Sequence, residues 1–232
     1  MKITASNLIR WSGLSAIVAG TIFAVIQPIH PPDVLASVNT SAFIIIITAF
    51  KTVMCVFGLF GITGLYARQV EKIGWLGLAG YLLLTIFYAV QMCFAFAEPL
   101  ILPLLTTVAP TFVESVMGMS SGIGGPMNLG TFATIYSVLP VVYLLGLISF
   151  GIAIFRAAIL PRWAGALLAL SGPLAGVMTA LLPHQLERFA AVPMGIALVW
   201  LGFALFTERR EPSAQPVVAG VGAPQFSTTG AG

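Results

Sequence analysis

Lys51 sits inside Ser41 to Tyr66, SAFIIIITAFKTVMCVFGLFGITGLY, a stretch that is otherwise almost wholly apolar. An ionisable group in such a run has two readings. Either it snorkels, lifting its ammonium to water along an apolar surface, or pairs with a partner for structural reasons, or it marks a ligand or ion pathway. Two partners are within reach on the next apolar run. Counting about 1.5 Å per residue, Gln91 comes to nearly the same height as Lys51, and Glu98 lies higher with its side chain leaning back down. Lys51, Gln91 and Glu98 are therefore the candidate ligand-binding residues.

A second arrangement occurs twice. HPPD carries His30 and Asp33, and HQLER carries His184 and Glu187, each a histidine followed three residues later by a carboxylate. Neutral imidazole and carboxylate oxygen both ligate zinc and other divalent metals, and a His–carboxylate pair can also relay protons. These four residues are the candidate metal ligands, and a divalent metal is the one cofactor the sequence suggests. The plainer reading is that loop ends near lipid headgroups collect polar residues and that the prolines of HPPD make a turn.

The elements that position these residues follow from composition. Of 232 residues, 59% are hydrophobic and 7% charged, whereas soluble domains carry roughly a quarter charged. A bilayer core of about 30 Å needs about 20 apolar helical residues, and spanning strands are shorter and alternate in polarity. The expectation is an all-α polytopic membrane bundle of six transmembrane helices, Trp11–Ile29, Ala42–Tyr66, Gly74–Ala97, Thr131–Phe155, Trp163–Leu182 and Ala190–Thr207. Basic residues concentrate on cytoplasmic loops. Lys2, Arg10, Arg68, Lys72, Arg156, Arg162, Arg209 and Arg210 agree on both termini being cytoplasmic, with Arg188 alone clearly outside. The ten Lys and Arg residues form no continuous basic face, which excludes nucleic acid as a partner. A cleaved signal peptide ending near Ala36 is disfavoured because the first apolar run exceeds the usual signal core.

Finer features add detail. RWSG, GWLG and RWAG, at Arg10–Gly13, Gly74–Gly77 and Arg162–Gly165, suggest three repeated hairpins. Gly58, Gly61 and Gly64, and Gly74, Gly77 and Gly80, each lie near one helix face, so the second and third helices are expected to pack tightly at their cytoplasmic ends. Cys55 and Cys93 read as small buried side chains. Residues 98–130 carry no Lys or Arg; Phe112, Val113, Val116 and Met117 form one face of a short capping helix, and SSGIGGPMNLG reads as its hinge. Residues 1–210 thus form the membrane domain and residues 211–232, rich in Pro, Gly, Ser and Ala, a disordered cytoplasmic tail.

LPRWAG, GLYARQVEKIGWLG and HPPD together resemble a group of bacterial multi-span membrane proteins with no assigned activity. The resemblance implies a bacterial inner-membrane setting and carries no functional residues.

Three functions remain open. A binding or transport protein would use Lys51, Gln91 and Glu98 as an outward-facing pocket for a small hydrophobic or amphiphilic molecule, with residues 98–130 as lid. A membrane enzyme acting on a lipid or isoprenoid would use the His and carboxylate set. An assembly subunit, in the lipid bilayer and with homo-oligomers among its states, needs only glycine packing surfaces.

Overall fold

The computed structural model of the protein describes residues 4–181 and 188–208. Among these residues every regular element is helical. The order is α1 (Ala5–Val25), α2 (Leu35–Val38), α3 (Ser41–Ile46), a π-helical turn (Ile47–Thr52), α4 (Val53–Leu100), α5 (Leu102–Leu105), α6 (Pro110–Ser120), α7 (Thr131–Ala157), α8 (Arg162–Leu181), a 3-10 turn (Arg188–Ala191) and α9 (Val192–Thr207). Four helices are long and apolar enough to cross a membrane: Ala5–Val25, Ser41–Leu100, Thr131–Ala157 and Arg188–Thr207. Their outward faces are apolar as well. Phe60, Ile86, Val141 and Phe203 are each more than half exposed, an arrangement that hydrocarbon solvates and water does not.

Local chemistry sets the helix ends. Thr4 opens α1 by accepting from the Asn7 amide at 3.2 Å, and Thr40 opens α3 by accepting from Phe43 N at 3.2 Å. The first helix ends at Val25 rather than Ile29, because Pro28, Pro31 and Pro32 follow closely and cannot supply helical amides. The expected loop between Tyr66 and Gly74 does not form. Helix continues to a single reversal at Gly74, whose φ of 63° and ψ of −170° lie in a region reserved in practice for glycine. The chain then folds back on itself. Thr63 Oγ1 meets Tyr81 Oη at 3.3 Å, and the rings of Tyr66 and Tyr81 stack with centroids 4.6 Å apart. α4 is therefore an antiparallel hairpin with a first arm before Gly74 and a second arm after it.

The long helices close into a ring, each antiparallel to its neighbours. α1 packs on α9 and on the first arm, the second arm packs on α7, α7 on α8, and α8 on α9. The tightest seam is α1 with α9. A Cβ at Gly13 would fall 2.7 Å from Gly202 O, and one at Gly20 would fall 2.5 Å from Gly195 O. Each pair is spaced by seven residues, about two helical turns, so both glycines face the same partner. The two arms of α4 pack closely, as expected of the second and third helices, but their glycines are shared among several partners. Gly58 faces Tyr88 of the second arm, but Gly61 faces Ala16 and Gly64 faces Ser12 of α1, while Gly80 faces Phe150 of α7. Three-residue steps rotate each successive glycine by about 60°, which distributes them over several partners. Cys55 is buried as expected, whereas Cys93 is exposed on the outer surface of the second arm, where a thiol is apolar enough for lipid.

Two apolar cores result. The larger fills the ring, with Leu65, Leu84, Tyr88, Phe150, Leu168 and Leu201 among its members. The smaller joins α2, α3 and the π turn to α5 and α6 through Val38, Phe43, Ile47, Leu102, Val113, Val116 and Met117. Of the four residues expected on the apolar face of the capping helix, Val113, Val116 and Met117 are buried here and Phe112 packs against them. Pro103 and Pro110 stand in the first turns of α5 and α6, where a missing amide costs little.

Candidate functional site: a polar cavity between the two cores

The junction of the two cores holds a cavity of about 280 Å³. Its apolar lining is Phe23 of α1, Ile26 just after it, Met54 of the first arm and Phe87 of the second. Its polar wall is Gln27, His30, Asp33, Lys51, Gln91, Ser120, Ser121 and Arg188. Seven segments therefore contribute: the end of α1, the loop after it, the π turn, both arms of the hairpin, the end of α6 and the 3-10 turn.

Lys51 lies on the π turn Ile47–Thr52, where the widened helix re-aims a side chain at the boundary between the cores. It does not reach for the headgroups. Lys51 Nζ donates to Glu98 Oε2 at 2.9 Å, with both side chains largely buried, and Thr52 Oγ1 donates to Ala95 O at 3.3 Å one residue on. For Lys51 the geometry selects pairing over snorkelling. Glu98 supports the ammonium from one side, while Lys51 itself and Gln91 line the cavity.

His30 and Asp33 lie on the same cavity, held by a residue that enters from the far end of the chain. Arg188 Nη2 donates to Asp33 Oδ2 at 3.1 Å; Nη1 lies 2.7 Å from His30 Nδ1 and donates to His30 O at 3.1 Å and Pro31 O at 3.3 Å. A guanidinium can only donate. The tautomer that leaves a lone pair on Nδ1 and the proton on Nε2 therefore suits this contact, even though Pro31 O lies 2.7 Å from the same nitrogen. Burial first, then the positive charges of Lys51 and Arg188, hold the imidazole well below its ordinary range, at about 4. At neutral pH His30 is thus uncharged. Ser121 Oγ ties the capping helix to this corner by donating to Asp33 O at 3.2 Å.

The metal reading meets a geometric obstacle. His30 Nδ1 and Asp33 Oδ1 are 4.0 Å apart, but both side chains face the Arg188 guanidinium, which stands where a cation would have to bind. Among the described residues no cluster of three or more His, Cys, Asp or Glu is placed to hold a metal. His184 and Glu187 lie outside the described residues.

Arg188 is the site residue that the sequence reading left out. It counted there only as the one basic residue on the outer side, although an isolated arginine opposite two carboxylate-bearing loops is itself a signal of pairing. Gln27, Ser120 and Ser121 were missed for a simpler reason: nothing in their local sequence distinguishes them from helix ends. A second chamber, also about 280 Å³, adjoins the first and shares Phe23, Gln27 and Arg188 with it. Tyr143, Ser171 and Met194 line its other side.

Comparison with family models, with curated proteins and with solved structures returned no match. The functional reading therefore rests on the geometry alone.

Proposed function

We propose that the protein is a six-span bundle of the bacterial inner membrane, both termini cytoplasmic, whose outward-facing cavity binds or moves a small hydrophobic or amphiphilic molecule. In this reading the two arms of α4 each cross the bilayer, and so does α8. α1 with the first arm, the second arm with α7, and α8 with α9 are then three successive hairpins. What carries the reading is the convergence of Lys51, Gln91, His30, Asp33 and Arg188 on one cavity that is also lined by Phe23, Ile26, Met54 and Phe87. A few polar groups set among apolar side chains is the usual construction of a small-molecule site.

Orientation is supported by where the cations lie. Arg10, Lys72, Arg156 and Arg162 sit at the end of the ring opposite the cavity, with Arg10 Nε donating to Phe206 O at 2.9 Å and Arg68 Nε to Glu208 at 2.6 Å. By the positive-inside rule that end is cytoplasmic and the cavity faces out. The cap built on α2, α5 and α6 then serves as lid, with residues 121–130 as its tether.

The test is sided labelling. In a Cys55→Ala, Cys93→Ala background, Gln91→Cys reacts in intact cells with a membrane-impermeant maleimide and Lys72→Cys reacts only after permeabilisation. A small amphiphile in the medium slows the first reaction and leaves the second unchanged. Labelling of Lys72→Cys but not Gln91→Cys from outside reverses the orientation and removes the outward pocket.

A further inference from the structure

We infer that the cavity selects an anionic head, so that its ligand is a carboxylate-bearing amphiphile of modest length. This rests on the proposed binding role of the same cavity and adds the ligand's charge to it.

Three observations carry the inference. The first is the balance of charge on the wall. Lys51 and Arg188 line the cavity as cations and Asp33 as its one anion, while Glu98, the partner of Lys51, is not part of the lining. The second is which hydrogen-bonding capacity is left over. Arg188 is committed to Asp33, His30 and two backbone carbonyls. An ammonium has three N–H groups, and Lys51 spends one of them on Glu98. Gln91, next to it on the lining, has no hydrogen-bond partner among the described residues. Two ammonium N–H groups and one amide NH₂ therefore point the local chemistry toward an acceptor. A carboxylate, with two oxygens and roughly four lone-pair sites, matches that set, and charge assistance strengthens each bond. An organic ammonium would meet two cations, and its one charged acceptor on the lining, Asp33, is already paired with Arg188.

The third observation is the field at His30. After burial, its largest cause, the depression of the His30 pKa comes from Lys51 and Arg188, against the smaller opposing effect of Glu98. Size limits the rest of the ligand. At about 280 Å³ the chamber is at the small end of ligand sites, which limits the apolar tail to a modest length.

Full-length protein in lipid nanodiscs is titrated calorimetrically with decanoate, decanol and decyltrimethylammonium, which share a tail and differ in head. The expected order is decanoate tightest, by at least tenfold over either comparator. Gln91→Leu weakens decanoate several-fold, and the neutral double variant Lys51→Gln, Glu98→Gln, which keeps a polar pair, reduces it to the level of decanol. Equal binding of decanol or preference for the ammonium overturns the anionic head while leaving an amphiphile site in place. Failure of all three overturns the binding role itself. Undiminished decanoate binding by the double variant, with an unchanged unfolding midpoint, overturns the assignment to Lys51.

Discussion

Replacing Glu98 by leucine while keeping Lys51 strands an ammonium between two apolar cores. With Nζ and Oε2 2.9 Å apart, the Coulomb attraction at an effective dielectric of about 20 is roughly 6 kcal/mol. Removing two ions from water costs several kcal/mol each, so the pair as a whole contributes close to nothing. The single variants bear the asymmetry: with 18% exposure of the Lys51 side chain and 8% of Glu98, losing either partner costs about 3–5 kcal/mol. Lys51→Met with Glu98→Leu should return to within about 1 kcal/mol of the parent, because both sites already sit against apolar neighbours. Reversible unfolding in bicelles, with a double-mutant cycle, measures the three differences. A coupling energy near zero, with each single variant as stable as the double, would falsify the buried pair and return Lys51 to snorkelling.

Three further outcomes follow from the geometry. Gly20→Ala puts a methyl 2.5 Å from Gly195 O, which forces the α1 and α9 backbones apart and costs about 1–3 kcal/mol; a thermal midpoint unchanged in detergent would show that this seam is loose. Gly74→Ala meets no neighbour within 4 Å, so its cost is purely that of a φ of 63°. That is about 1–3 kcal/mol, to be seen as lower stability without altered ligand affinity. His30 is held at about 4 against an ordinary value of 6.5. The unfolded chain therefore binds a proton in that window that the folded chain refuses, and stability falls as pH drops from 6.5 toward 4, by up to about 3 kcal/mol. His30→Gln should flatten this part of a stability–pH curve; an unchanged slope would place the acid sensitivity elsewhere.

Much of the architecture was legible because lipid imposes few choices. Long apolar runs with almost no charge dictate helices, and α7 begins at Thr131 as its sequence suggests. The Lys51–Glu98 contact was also within reach, since helical rise and side-chain lean fix relative heights on an antiparallel pair. What escaped was azimuth. The glycine sets pointed to close packing of the second and third helices, yet Gly61 and Gly80 face α1 and α7; a face depends on which helices close the ring, and that is a property of the whole chain. The π turn under Lys51 has no composition signature, being a one-residue accommodation between two packed bodies. Arg188 reached the site through tertiary closure alone, 155 residues from Asp33.

The position of the polar groups relative to the two cores gives the arrangement its logic. The ring is locked by backbone-close glycine seams at α1 with α9 and by Gly151 against Gly165 at α7 with α8. The cap has its own apolar core, separate from that of the ring. Phe43 and Ile47 belong to the cap, Met54 and Cys55 to the ring, and Lys51 lies between them on one continuous helical path. Any shift of the cap relative to the ring must therefore turn the segment that carries Lys51, and must also act on Ser121, which ties α6 to the Asp33 corner. In the proposed binding reading, Lys51 and the Arg188 clamp on His30 and Asp33 are joined through the same small body. A ligand that bonds Lys51 more strongly in one cap position biases that position by the difference in its binding free energies, and by no more than that.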